Sequence, residues 1–199
     1  MAKLYLQRHL QSQWNKDNKF TGWEDVSLSE DGINSAQDAA QKLSGEKIDE
    51  VFTSPLIRNK ETVSLILKIL GQENLPVMID KALDERNYGE LQGMNKDEAA
   101  KKFGGEQVHL WRRSYNIAPP GGESLKDVCK RVHPFYTKYI EKDLRAGKDV
   151  LVVASHNSLR AIVKYVENIS DEKIIDLELP FGSLTKYEFD GKNYIKYNK

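Results

Sequence analysis

Cysteine is almost absent from this chain of 199 residues: Cys129 stands alone, so no intramolecular disulfide can form and a reducing, cytoplasmic setting is expected. Long hydrophobic runs are missing as well. No apolar stretch approaches the roughly 20 residues that a membrane helix requires, which argues against a membrane partner. Charge of one sign is not in excess. Thirty basic side chains offset thirty acidic ones, so no global field draws the protein to nucleic acid or an anionic surface. Any anion must be recognised by a local cluster. Met1-Ala2-Lys3 leads straight into a short apolar segment, so no secretory leader is expected. No His-Glu or Cys-His set has ligand spacing, so no metal is expected, and a serine nucleophile would want a Gly-x-Ser-x-Gly elbow that is not there.

What is present suits one domain over residues 1–199, with 39% hydrophobic and 30% charged residues. Leu4–Leu6, Glu50–Thr53, Val77–Ile79 and Val150–Ala154 read as buried strands. Between them lie helical patterns. Over 29–43, Ile33, Ala36, Ala39, Ala40 and Leu43 share a face; over 56–70, Val63, Ile66, Leu67 and Leu70 do. A longer helix is expected from Ser124 to about Leu144, capped by Ser124 and Asp127 and bent at Pro134. Another spans about 158–167. "LTKYEF" and "NYIKY" alternate like edge strands around an Asp190-Gly191 turn. Strands alternating with helices predict an α/β layered domain with a largely parallel sheet. The segment at about 80–122 departs from this rhythm. It is polar, with short helical stretches near 95–103 and 106–115, and such an excursion is expected to form a lid or part of a site.

Ligands of open α/β sheets collect at the carboxyl ends of the strands. Three strands here end in polar groups: Arg8-His9, Thr53-Ser54-Pro55 with Arg58 one turn on, and Ser155-His156-Asn157-Ser158. Each alone is an ordinary cap or surface pair. Together, two imidazoles, two guanidiniums and helix N-terminal amides would make an anion site. His109 and His133 fall within helical patterns and read as structural.

The stretches "RHLQSQWN", "FTGWEDVSLSEDG", "TSPLIR", "DERNYGELQG", "WRR" and "SHNSLRAIVKY" closely resemble, in this order, the cofactor-dependent phosphoglycerate mutases of the histidine phosphatase superfamily. The resemblance implies a three-layer sandwich with a mostly parallel central sheet, helices on both faces and a site at the strand ends. It implies that His9 accepts a phosphoryl group held by Arg8 and Arg58, with Asn15 beside it, and that Glu85 exchanges the substrate hydroxyl proton. By the same resemblance Arg86, Tyr88, Lys96, Arg112 and Arg113 meet the substrate's remaining charges. Thr21 and Gly22 give backbone contacts, Asn157 lies near the phosphate, and Ser12 belongs to the same binding stretch. The residue types suit that chemistry: a neutral imidazole is a nucleophile near pH 7, and basic groups stabilise a transferring phosphoryl group. The implied activity is interconversion of 3- and 2-phosphoglycerate, primed by 2,3-bisphosphoglycerate, without metal.

Departures from the pattern are definite. Leu10 and Gln11 replace the glycine and glutamate that follow the Arg-His pair, and the leucine is expected to pack outward. Ser155-His156 stands where the family has His-Gly; His156 is favoured as the second histidine, with Ser155 as an alternative neutral donor. An insertion is missing after Pro119-Pro120 and the tail after Tyr197 is short, which leaves the expected homodimer open and the site more accessible to water. Two rivals therefore stand beside the mutase: a histidine phosphatase acting on small phosphorylated acids, and a non-catalytic phosphoester-binding protein.

Overall fold

The computed structural model of the protein describes residues 1–197, so the tail after Tyr197 lies outside the described residues. Apolar segments form β1 (Ala2–Arg8), β2 (Glu50–Thr53), β3 (Val77–Ile79) and β4 (Val150–Ala154); a C-terminal hairpin adds β5 (Leu184–Phe189) and β6 (Tyr194–Tyr197). The sheet order is β3-β2-β4-β1-β5-β6, parallel from β3 to β1 and antiparallel beyond. Only β6 of the hairpin is an edge strand. β5 pairs on both sides, with Tyr187 and Phe189 buried in the core.

Helices α1 (Gln13–Lys16), α2 (Glu30–Asn34), α3 (Ala36–Gln41), α4 (Ile57–Leu70), α5 (Lys96–Phe103), α6 (Gly105–Arg113), α7 (Leu125–Phe135), α8 (Glu141–Arg145) and α9 (His156–Val166) complete the described fold, with short 3₁₀ turns between. Side chains alternate along a strand, so one sheet face carries Leu4, Leu6, Val150, Val152 and Ala154 against Val128, Val132 and Ile162 of α7 and α9. The other carries Tyr5, Val51, Leu151 and Val153 against α3 and α4, through Ala36, Ala39, Val63 and Ile66. That is the three-layer arrangement. Among the described residues no helix is long and apolar enough to cross a membrane.

Two helices differ from the periodicity. The expected 29–43 helix breaks at Ser35, whose Oγ donates to the Gly32 carbonyl at 2.7 Å and competes with the helical ladder. The break shifts the phase, and Ile33 is left exposed. Pro134 stays inside α7, after the Ser124–Asp127 capping box, and the chain then widens into a π-helical turn at Tyr136–Ile140. Proline removes an N–H and crowds the preceding turn, and a wider turn absorbs both. The excursion holds α5, α6 and two 3₁₀ turns around its own cluster of Leu91, Ala99, Val108 and Trp111, which Phe20 joins from the first loop.

Candidate active site

Because β2, β4 and β1 are neighbours, their polar tails meet at one edge of the sheet. They open into a cavity of about 250 Å³ whose wall the excursion helps to form. The His9 ring is buried there, with Nδ1 2.6 Å from the Leu10 carbonyl. A carbonyl only accepts, so Nδ1 carries the proton and Nε2 the lone pair. Burial first, then the Arg58 and Arg8 charges, hold the imidazole well below its ordinary value of 6.5, so the ring is neutral. Arg8 donates to the Leu179 carbonyl at 2.5 Å and lies 3.8 Å from the Phe181 ring centroid. Arg58 is fully buried and donates to the carbonyls of Gly22 (2.7 Å) and Glu24 (3.0 Å). Burial lowers both guanidiniums, Arg8 to about 10.

The region of Ser155 and His156 resolves through the turn geometry. β4 stops at Ala154, Ser155 is the N-cap, and His156 opens α9, so strand alternation no longer governs either side chain. Ser155 Oγ accepts from Asn59 Nδ2 at 3.2 Å, away from the cavity, whereas His156 lines it. His156 Nε2 lies 3.5 Å from Glu178, too long for a full hydrogen bond. Burial, with Arg8, Arg160, Arg113 and Arg86 around it, keeps this imidazole neutral, so the contact is not an ion pair. Leu10 does not pack outward. It is 1% exposed in the core cluster of the α3–α4 face, its N–H donating to Thr62 Oγ1 at 3.1 Å; its φ is not positive, so the turn needs no glycine.

Asn15 lines the cavity; its Oδ1 is taken by the Ser12 hydroxyl (2.8 Å) and N–H (3.1 Å), which turns Nδ2 outward. Thr21 and Gly22 also line it. Gly22 has φ +58°, which favours glycine, and a Cβ there would meet Gln92 Oε1 at 2.2 Å, so the Gln92 side chain would have to shift. From the excursion come Glu85, Tyr88, Lys96, Arg112 and Arg113. Glu85 Oε1 accepts from the N–H groups of Arg86 (2.7 Å) and Asn157 (3.1 Å), and among the described residues no hydrogen bond engages Oε2. Arg131 holds the segment before it, donating to the carbonyls of Ala82, Asp84 and Glu85 while pairing with Glu123 through Nε and NH2. Arg113 pairs with Glu178.

Three expected residues stand behind the lining. Ser12 is spent as the α1 cap, Arg86 is fully buried and donates to the Arg112 carbonyl at 2.8 Å, and Asn157 bridges Tyr88 and Arg160. The structure adds Lys19, Phe20, Glu178 and Phe181 to the wall. "DLELPFGS" carries no chemical pattern that singles out Glu178 or Phe181, because the segment reaches the cavity through long-range contacts, its hydrogen bonds to the Arg8-His9 turn and the Arg113–Glu178 pair among them. Arg131, likewise, reads as one more polar helix residue.

The family model described as histidine phosphatase superfamily (branch 1) matches residues 4–197. The 2,3-bisphosphoglycerate-dependent phosphoglycerate mutase of Mesorhizobium japonicum is 48% identical over 194 residues, 96% of this chain and 94% of that protein. The phosphoglycerate mutase of Schizosaccharomyces pombe is 47% identical over 189 residues, 94% of this chain and 90% of its own. A mycobacterial glucosyl-3-phosphoglycerate phosphatase solved with VO3 superimposes with a TM-score of 0.87 at 24% identity, covering 99% of this chain and 98% of that one; it shares the fold.

Proposed function

The chain belongs to the histidine phosphatase superfamily (branch 1), and from that premise we propose that it is a 2,3-bisphosphoglycerate-dependent phosphoglycerate mutase. It interconverts 3-phosphoglycerate and 2-phosphoglycerate, an isomerase step of glycolysis and gluconeogenesis. The observation that carries the reading is the division of the cavity's cations by origin: Arg8 and Arg58 from the strand ends beside a neutral His9, and Lys96, Arg112 and Arg113 from the excursion. One set suits the phosphoryl group that moves and the other the charges that stay. Relatives of this name at about half identity over nearly the whole chain support it.

In this reading His9 Nε2 forms the bond to phosphorus, and its Nδ1–H, donated to the Leu10 carbonyl, delocalises the charge that appears on the ring. Arg8, Arg58 and neutral His156 hold the three oxygens over which charge spreads. Glu85, pinned through Oε1, gives and takes the hydroxyl proton at Oε2. His9 hands its phosphoryl group to the free hydroxyl of the bound monophosphate and then receives the other one. 2,3-Bisphosphoglycerate, when bound, supplies the phosphoryl group that primes His9, and a wall with six cationic side chains (Arg8, Lys19, Arg58, Lys96, Arg112 and Arg113) fits such a polyanion. No transfer calls on a metal. One catalytic domain over 1–199, small-molecule partners without nucleic acid, a cytoplasmic location and a homodimer belong to the same reading. The lone buried Cys129 supports the compartment, and β3, with Val77 and Ile79 exposed at the sheet edge, supports the dimer.

The test follows conversion of 3-phosphoglycerate to 2-phosphoglycerate in a chelator, with and without trace bisphosphate, while tracking inorganic phosphate. Fast isomerisation stimulated by the bisphosphate and reduced at least about 1,000-fold in His9→Ala is expected. Phosphate release without isomerisation would make the protein a phosphatase. Neither product from folded protein would leave a phosphoester-binding protein.

A further inference from the structure

We propose that Arg160, which touches neither the cavity nor a substrate, is a positioning residue that fixes the direction of the Tyr88 hydroxyl proton through Asn157, so that Tyr88 is a preset hydrogen-bond donor to the bound phosphorylated acid. The nature of that ligand rests on the mutase reading; the arrangement of donors does not.

Counting hydrogens fixes the arrangement. Arg160 lies one turn beyond Asn157 on α9 and is fully buried, with no carboxylate partner among the described residues. Its NH2 is anchored on the Ile174 carbonyl at 2.6 Å, and its NH1 lies 3.0 Å from Asn157 Oδ1. A guanidinium has donors only, so the Asn157 amide is held with its oxygen toward Arg160 and cannot flip. Its Nδ2, also only a donor, therefore faces the Tyr88 oxygen at 3.3 Å. On another side of that oxygen stands Arg86 NH2, again only a donor, at 3.2 Å. A phenol oxygen has two lone pairs and one hydrogen. With both lone pairs engaged, the hydrogen is left the remaining direction, and Tyr88 lines the cavity. Arg86, whose NH2 is also tied to the Arg112 carbonyl, cannot turn away to release a lone pair.

Loss of Arg160 removes the one hydrogen bond to Asn157 Oδ1 among the described residues. Asn157 can then flip and offer Oδ1 to Tyr88, and the hydroxyl turns to donate to it. The donor is withdrawn from the substrate although Tyr88 itself is untouched. The arrangement also gives buried Arg160 a use that its packing does not explain, since a donor-only cation without a carboxylate is costly in a core.

A double-mutant cycle on 3-phosphoglycerate binding, read by calorimetry on the unphosphorylated protein and by KM against kcat, tests this. Tyr88→Phe and Arg160→Met are each expected to weaken binding by about tenfold, the scale of one hydrogen bond to a charged group. Arg160→Met in the Tyr88→Phe background should add less than about twofold. Should Arg160→Met fail to fold, Asn157→Asp runs the same cycle: it keeps Arg160 paired but has no N–H for Tyr88. Its added charge acts in both backgrounds, so only the difference between backgrounds reports the hydroxyl. Additive losses, or unchanged binding by folded Arg160→Met, would overturn the relay. Wild type that binds but does not isomerise would sink the mutase reading and leave the cycle informative. Wild type that does not bind 3-phosphoglycerate would remove this inference with its premise.

Discussion

Lys96 stands half-buried in the cavity wall, and desolvation, with the repulsion of Arg112 and Arg8 behind it, lowers its ammonium to about 8. Below that pH the residue is charged and ready to meet an anion. A bound anion raises its value, so above about 8 binding must be accompanied by proton uptake at Lys96, and affinity falls as pH rises. KM for 3-phosphoglycerate is therefore expected to climb above about pH 8, at no more than about tenfold per unit. Lys96→Gln should begin with a higher KM at pH 7 and lose this part of the climb. Parallel wild-type and variant profiles between pH 7 and 9.5 would show that Lys96 does not meet the substrate. The same single-residue logic extends to the buried guanidiniums in and behind the cavity wall. Arg58, Arg86 and Arg160 are fully buried without a carboxylate partner among the described residues, and a bound anion offsets a cost that the empty cavity leaves standing.

Between α9 and β5, the segment 178–183 works as a strap across the end of β1. The Leu179 carbonyl accepts from Arg8 NH1, the Ser183 carbonyl from the Arg8 N–H at 3.0 Å, and the Gly182 N–H donates to the His9 carbonyl at 3.3 Å. This brings the Phe181 ring over the Arg8 guanidinium and its centroid to 5.9 Å from that of His9. Under the proposed mechanism, an apolar ring at this position would limit the approach of water to phosphorylated His9, where attack at phosphorus would break the P–N bond and release inorganic phosphate. Phe181→Ala is expected to raise the ratio of phosphate release to isomerisation by about fivefold or more, while Phe181→Leu, still bulky and apolar, stays near wild type. Product ratios measured by phosphorus NMR check this; an unchanged ratio in the alanine variant would assign the shielding elsewhere. The strap adds Glu178 and Phe181 to a wall that the excursion supplies with Glu85, Tyr88, Lys96, Arg112 and Arg113.

For the whole molecule, keeping two imidazoles neutral in one buried cluster couples stability to pH. His9 and His156 both lie well below 6.5 in the fold, mainly through burial. The unfolded chain takes up protons at its ordinary histidine value while the folded one does not, so stability falls as pH drops below about 6.5. Asp84, raised to about 6 by burial against an ordinary 3.8, acts in the opposite sense between those values. Urea midpoints should accordingly decrease from pH 7.5 to 5.5, and His9→Asn should flatten the decline. A variant with the same slope as wild type would show that His9 is not the source.

Much of this was legible in the chain itself. Leu4, Leu6, Val150 and Val152 alternate with Tyr5 and Leu151 in a way that demands a sheet covered on both faces, and Arg8, His9, Arg58 and His156 sit where strand ends must bring them. The motif order was enough to identify the superfamily. Those signals are local, because periodicity and strand ends depend on near neighbours. What the tertiary structure decided are relations between residues far apart. Leu10 turned inward because the α3–α4 face offered it apolar partners, His156 rather than Ser155 entered the cavity because Asn59 claimed the serine, and Phe181 arrived only when the strap hydrogen-bonded to a turn some 170 residues away. Hydrogen bonding and close packing choose among side-chain directions that local preference leaves nearly equal in energy, and that choice exists only once the partners have been assembled.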